Sequence, residues 1–74
     1  MYVDKVSEYS GKGDKRYVKC SIISTNTPSP LPTTGENIVG LGAEDNLDMG
    51  STLFVTNGSS LYVMDENHVF QLVQ

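Results

Sequence analysis

The sequence predicts a small all-β domain, made of an N-terminal hairpin and a C-terminal three-stranded meander joined by a Pro/Gly-rich segment. Three observations predict it. Residues 51–74 hold three short apolar segments separated by turn signals. Residues 1–24 hold two alternating segments around a polar, glycine-containing break. Residues 25–50 carry all three prolines and four of the seven glycines. The expected layout is a single antiparallel, sandwich-like domain over 1–74, with the hairpin at 1–24, the connector at 25–50 and the meander at 51–74.

The hairpin is read first. Residues 2–9 alternate loosely, and Ser10-Gly11-Lys12-Gly13-Asp14 is a loop or turn signal. In Arg16-Tyr17-Val18-Lys19-Cys20-Ser21-Ile22-Ile23-Ser24 the alternation is clearer. Val18, Cys20 and Ile22 point one way; Tyr17, Lys19, Ser21 and Ile23 point the other. In the connector, Thr25-Asn26-Thr27-Pro28-Ser29-Pro30-Leu31-Pro32-Thr33-Thr34-Gly35 cannot be sheet interior, because proline fixes φ and removes a backbone donor. Residues 36–50 are expected to be ordered and mostly irregular. Ile38-Val39 and Leu41 suit a short strand or a tucked loop, and Ala43-Glu44-Asp45-Asn46-Leu47 suits one helical turn.

The meander can be tested for parity. A two-residue type I′ turn at Asn57-Gly58 sets Phe54 opposite Leu61 and Thr52 opposite Val63. A second two-residue turn at Glu66-Asn67 sets Val63 opposite Phe70 and Leu61 opposite Leu72. Phe54, Leu61, Val63, Phe70 and Leu72 then share one face, which an odd register slip would destroy. The other face carries Leu53, Val55, Tyr62, Met64, Val69, Gln71 and Val73. It is too apolar for full solvation, so it must be covered internally or by a partner. Leu53, Val55, Tyr62, Met64 and Val69 are therefore candidate interaction residues, with Lys12, Lys15 and Arg16 at the basic hairpin tip.

Composition narrows the function classes. Seventy-four residues make one domain with a limited core. Cys20 and His68 are the only residues of their kind, so an intrachain disulfide or zinc cross-link is excluded. Residues 1–24 hold all five basic residues and three acidic ones, a net +2, whereas residues 25–74 hold six acidic residues and no Lys or Arg, a net −6. That polarity suits head-to-tail packing or docking on a patterned surface, and the acidic total disfavours nucleic acid. Neither a secretion leader nor an apolar stretch near the ~20 residues of a membrane span is visible. A chain made and kept in a reducing cytoplasm is expected.

Several short motifs lack the context that their usual function requires. Leu31-Pro32-Thr33-Thr34-Gly35 matches the LPXTG sorting signal, but an acidic, glycine-containing stretch follows it instead of an apolar span and basic tail. Gly40-Leu41-Gly42 lacks the third glycine and the strand–loop–helix setting of a phosphate loop. Glu44-Asp45-Asn46-Leu47-Asp48 clusters oxygen ligands without EF-hand spacing. Asn57-Gly58-Ser59 is a sequon that reads as a turn. One histidine supports no catalytic triad, so no catalytic, cofactor-binding or metal-binding residues are assigned.

The segment from Leu31 to Val73 resembles small proteins encoded in the morphogenesis gene clusters of tailed bacteriophages, especially those infecting Gram-positive hosts. The matching features are Leu31-Pro32-Thr33-Thr34-Gly35, Gly50-Ser51-Thr52-Leu53-Phe54-Val55, Leu61-Tyr62-Val63-Met64-Asp65 and Val69-Phe70-Gln71-Leu72. Many such proteins have Trp in the closing strand, where this chain has Phe70. The resemblance implies a non-enzymatic virion component made in the host cytoplasm: a head decoration or fibre-base protein, or a neck or tail accessory. It implies other virion proteins as partners, including the major capsid protein, several copies per particle, no cofactor, and no nucleic acid or membrane. The alternative is a small cytoplasmic phage-encoded adaptor or inhibitor of a host protein.

Overall fold

The structure, a computed structural model, describes residues 1–74 apart from the side chain of Lys12. The chain is all-β. Six strands run in order: β1 (Tyr2–Lys12), β2 (Lys15–Ser24), β3 (Asp45–Leu47), β4 (Thr52–Val55), β5 (Ser60–Met64) and β6 (Phe70–Leu72). They form one sheet in the order β1-β2-β4-β5-β6, with β3 also paired to β2. The sheet does not close into a barrel.

The hairpin and the meander are antiparallel as expected, but the seam between them is parallel. β2 pairs parallel with β3 over residues 16–18 and with β4 over residues 21–24. The sheet is therefore mixed, because the connector carries the chain back to the start of β2. The segment expected to form a helical turn becomes β3 instead. A turn from the Gly42 carbonyl to the Asp45 N–H starts it, and Thr33 and Gly35 pair along its free edge. Pairing on both sides outweighs the local helical preference.

Between β3 and β4 the chain makes a detour of four residues, 48–51, opposite two residues of β2. Asp48 to Ser51 is a turn closed by the Ser51 N–H on the Asp48 carbonyl, with Gly50 at φ 91°. The Gly50 N–H donates to the Met64 carbonyl, and the Met64 N–H donates to the Ser51 carbonyl, which is a glycine bulge. The detour would leave the Cys20 N–H of β2 without a partner, while the Val18 carbonyl already accepts the Asp48 N–H at 2.8 Å. Ser51 repairs this: fully buried, its hydroxyl donates to the Val18 carbonyl at 3.3 Å and accepts from the Cys20 N–H at 3.2 Å.

The two turns of the meander differ. The first keeps the expected register, with Phe54 opposite Leu61 and Thr52 opposite Val63. Positive φ falls on Gly58 and Ser59, not on the Asn57-Gly58 pair that a type I′ turn requires. The second turn departs by one residue. Asp65 pairs with Val69 around a three-residue loop, and His68 takes the left-handed conformation at φ 61°. The Asp65 carboxylate accepts the N–H groups of Asn67 and Val69 and shapes this loop. One extra loop residue moves the register to Met64–Phe70 and Tyr62–Leu72, not the expected Val63–Phe70 and Leu61–Leu72.

The core lies on the Val18/Cys20/Ile22 side. Leu47, Leu53, Val55, Met64 and Phe70 join these residues, and Ile38 comes down from the connector. Met1, Val3, Val6, Leu31, Leu41 and Tyr62 pack around them. Burial at about 25 cal/mol per Å² of apolar surface drives this closure. The connector is fixed by pairing as well as by packing: the Val3 N–H donates to the Val39 carbonyl, and the Val39 N–H donates to the Met1 carbonyl.

Candidate interaction face

In β4 and β5 the expected core and docking faces exchange places, whereas the one-residue shift of β6 keeps Phe70 in the core. Leu53 and Val55 are 0% exposed and Met64 is 1% exposed, so these three candidate interaction residues are core residues. Tyr62 is half-buried against the same core. The reason is the connector: Ile38, Leu31 and Leu41 fall on this side and cover it. Val69, 50% exposed, sits at the loop end of β6.

The hairpin tip also differs from expectation. Lys15 is exposed, and the side chain of Lys12 lies outside the described residues. Arg16 is committed within the chain. Its Nε lies 2.9 Å from Asp45 Oδ1, and its guanidinium stacks 4.4 Å from the Tyr9 ring centre. Asp45 is buried and also accepts the Gly42 N–H at 3.0 Å. This pair ties the hairpin tip to the connector. The structure thus does not gather the candidate apolar and basic residues into one surface.

The face that is open is the other one. Phe54, Leu61 and Val63 lie there, half-buried, with Ile23 from β2 beside them. Register places Tyr2 beside Ile23, Ile23 beside Phe54, and Phe54 beside Leu61. The Val73 N–H then donates to the Leu61 carbonyl. Five apolar or aromatic side chains therefore form one row across the whole sheet, with Tyr2 50% and Val73 58% exposed at its ends. The adjoining row is mainly polar: Lys5, Ser21, Thr52, Val63 and Gln71. Ile23, Tyr2 and Val73 were not singled out from the sequence. Their signal was the outward alternation of β2, which becomes informative only once β2 is known to pair with β4.

One end of this face has a polar border. His68 Nε2 lies 3.7 Å from Asp48 Oδ1, and its ring stands 5.3 Å from that of Tyr17. The Ser10 hydroxyl reaches Asp48 Oδ2 at 3.5 Å. Nearby, the Gln71 amide donates to Asp65 Oδ2 at 2.9 Å. The backbone N–H of Val69, and then that Gln71 amide, hold the Asp65 carboxyl below its ordinary range. On the closed side, burial pushes the Cys20 thiol up, against the opposing hydrogen bond from Ser51. Cys20 is thus a packed thiol and not an activated nucleophile.

The remaining motifs have structural employment. Gly35 of the LPTTG segment is buried, and a Cβ there would collide with the Gly42 carbonyl and Leu41. The Gly35 N–H and the Thr33 carbonyl are both bonded to β3. In the acidic segment, Asp45 faces Arg16 while Asp48 faces Ser10 and His68, so their oxygens do not converge. Among the described residues, no group of three or more His, Cys, Asp or Glu is placed to hold a metal ion, and no pocket opens. Comparison of the chain with protein-family models, curated proteins and solved structures finds no match.

Proposed function

We propose that this chain is a non-catalytic accessory protein of a bacteriophage particle, present in several copies and attached by protein–protein contact through its outward sheet face. The observation that carries the mode of action is the unbroken row Tyr2, Ile23, Phe54, Leu61 and Val73 on the uncovered side. A contiguous apolar strip of this kind on a small domain suits a partner surface. The particle assignment rests on the resemblance of residues 31–73 to phage morphogenesis proteins.

The sheet edges suit binding less well than the face does. β1 has register shifts between Val3 and Lys5 and between Val6 and Glu8, and it carries Lys5 and Glu8. β6 is only three residues long. Bulges, charges and short strands discourage strand addition. The face is therefore the favoured contact.

The test is fractionation of particles from the cell that encodes the chain, on a density gradient. The chain is expected in the particle band at a fixed ratio to the most abundant particle protein, and Phe54→Glu is expected to remove it from that band. Recovery only among the unassembled proteins would overturn the particle reading.

A further inference from the structure

We infer that the outward face is filled by a second copy of this chain, in a two-fold pair whose axis runs along β4. This rests on the reading of that face as the working surface: the second copy covers it in the free protein, and the particle surface takes that copy's place on attachment.

The strand order makes the face pseudo-symmetric. β4 is central in β1-β2-β4-β5-β6, with two strands on each side. Phe54 is accordingly the midpoint of the five named members of the row, which Val39 extends beyond Tyr2. A half-turn about an axis along β4, lying between two stacked sheets, exchanges the β2 and β5 positions and the β1 and β6 positions. Phe54 then meets Phe54 of the second copy. Ile23 meets Leu61 of the second copy, and Tyr2 meets its Val73. Each apolar member of the row faces another apolar member, as an isologous contact requires.

Charge selects this axis. Along β2 the outward residues step from Ile23 through Ser21 to Lys19; along β5 they step from Leu61 through Val63 to Asp65. Lys19 and Asp65 therefore stand at the same level on strands that the half-turn exchanges. Lys19 is exposed, and Asp65 is on this face because Gln71, the outward partner of Val63, bonds to it. The pairing brings Lys19 of each copy toward Asp65 of the other, and it sets Lys5 toward Gln71. The only mismatch in the two rows is Ser21 against Val63. An axis across the strands would instead lay Ile23 on Ile23 and leave both Lys19 and Asp65 without opposite charges. Aligned sheets stacked about 10 Å apart have this general form.

The experiment is the mass of the full chain by light scattering over a concentration series, together with two charged variants in the row. The wild type is expected to reach twice its 8.1 kDa as concentration rises. Ile23→Lys alone and Leu61→Glu alone are each expected to stay at the single-chain mass, with far-UV circular dichroism showing both folded. Mixed in equal amounts, they are expected to recover the doubled mass, because the pair sets Lys at 23 against Glu at 61 and leaves Leu61 against Ile23. A wild type at 8.1 kDa throughout, a trimer or larger ring, or a mixture that stays single would overturn the pairing. If the variants do not fold, the wild-type mass decides. The particle reading fails separately: pairing in solution without recovery in particles removes that reading alone, and recovery in particles of a chain whose solution mass stays single removes the pairing alone.

Discussion

Leu53 and Phe54 are neighbours in β4, yet one is sealed in the core and the other stands half-exposed on the opposite face. The faces they represent have similar apolar content. On one side lie Val18, Cys20, Ile22, Leu53, Val55, Met64 and Phe70; on the other lie Tyr2, Ile23, Phe54, Leu61 and Val63. What separates them is a single covering layer, supplied by Leu31, Ile38 and Leu41 of the connector. In a chain this short one connector can cover one face, and the other is left open. Apolar content identifies a surface that needs covering; the path of the connector decides which surface the chain covers itself.

The comparison can be broken most directly by truncating one residue on each face. Leu53→Ala is expected to cost about 2–5 kcal/mol, as buried leucines do when they leave a cavity. Phe54→Ala, measured in dilute solution, is expected to cost about 1 kcal/mol or less, near the range of surface substitutions. Urea unfolding of both variants checks this, and equal losses would erase the distinction between the faces.

A smaller effect sharpens the account of the closed face. Ser51→Ala removes the hydroxyl that serves the Val18 carbonyl and the Cys20 N–H. The Val18 carbonyl keeps the Asp48 N–H, so the loss falls on the buried Cys20 N–H and is expected to cost about 1–3 kcal/mol. Amide hydrogen exchange should show faster exchange at Cys20, while the outward substitution Thr52→Ala leaves that amide protected.

The smallest expected effect is on the open face and depends on pH. The folded chain holds the Asp65 carboxyl below its ordinary range, through the Val69 N–H first and then the Gln71 amide. The native state therefore binds this proton less readily than the unfolded chain. The contribution is complete above the ordinary carboxylate value of about 4, and it is lost as pH falls through the lower folded value. Thermal melts on the acid side should show a shallower decline for Asp65→Asn than for the wild type. Parallel declines would mean that the turn does not draw on this charge.

Much of the architecture was legible because it is local. Alternation in Val18, Cys20 and Ile22 identified the inward side of β2, and Asn57-Gly58 placed the first meander turn with its register. Three features were not legible. β3 is three residues long and exists through its pairing with β2 and residues 33–35, which no local pattern announces. His68 in the left-handed conformation lengthened the second turn by one residue. The choice of face came from contacts between distant segments, such as Ile38 with the strands, and both faces of residues 51–74 look fit for a core. Arg16 illustrates the same limit at the hairpin: its charge was visible, but its partner Asp45 was not.

The loop between Asp65 and Val69 has a consequence for how such a chain can change over generations. Its side chains are mostly solvent-facing and can be replaced at little cost. Its length is another matter, because a strand alternates with a period of two. Losing one residue there would turn β6 over, carrying Phe70 out to solvent and Gln71 into the interior. Insertions and deletions are therefore constrained where substitutions are tolerated, and the number of residues between two strands is itself an inherited determinant of the fold.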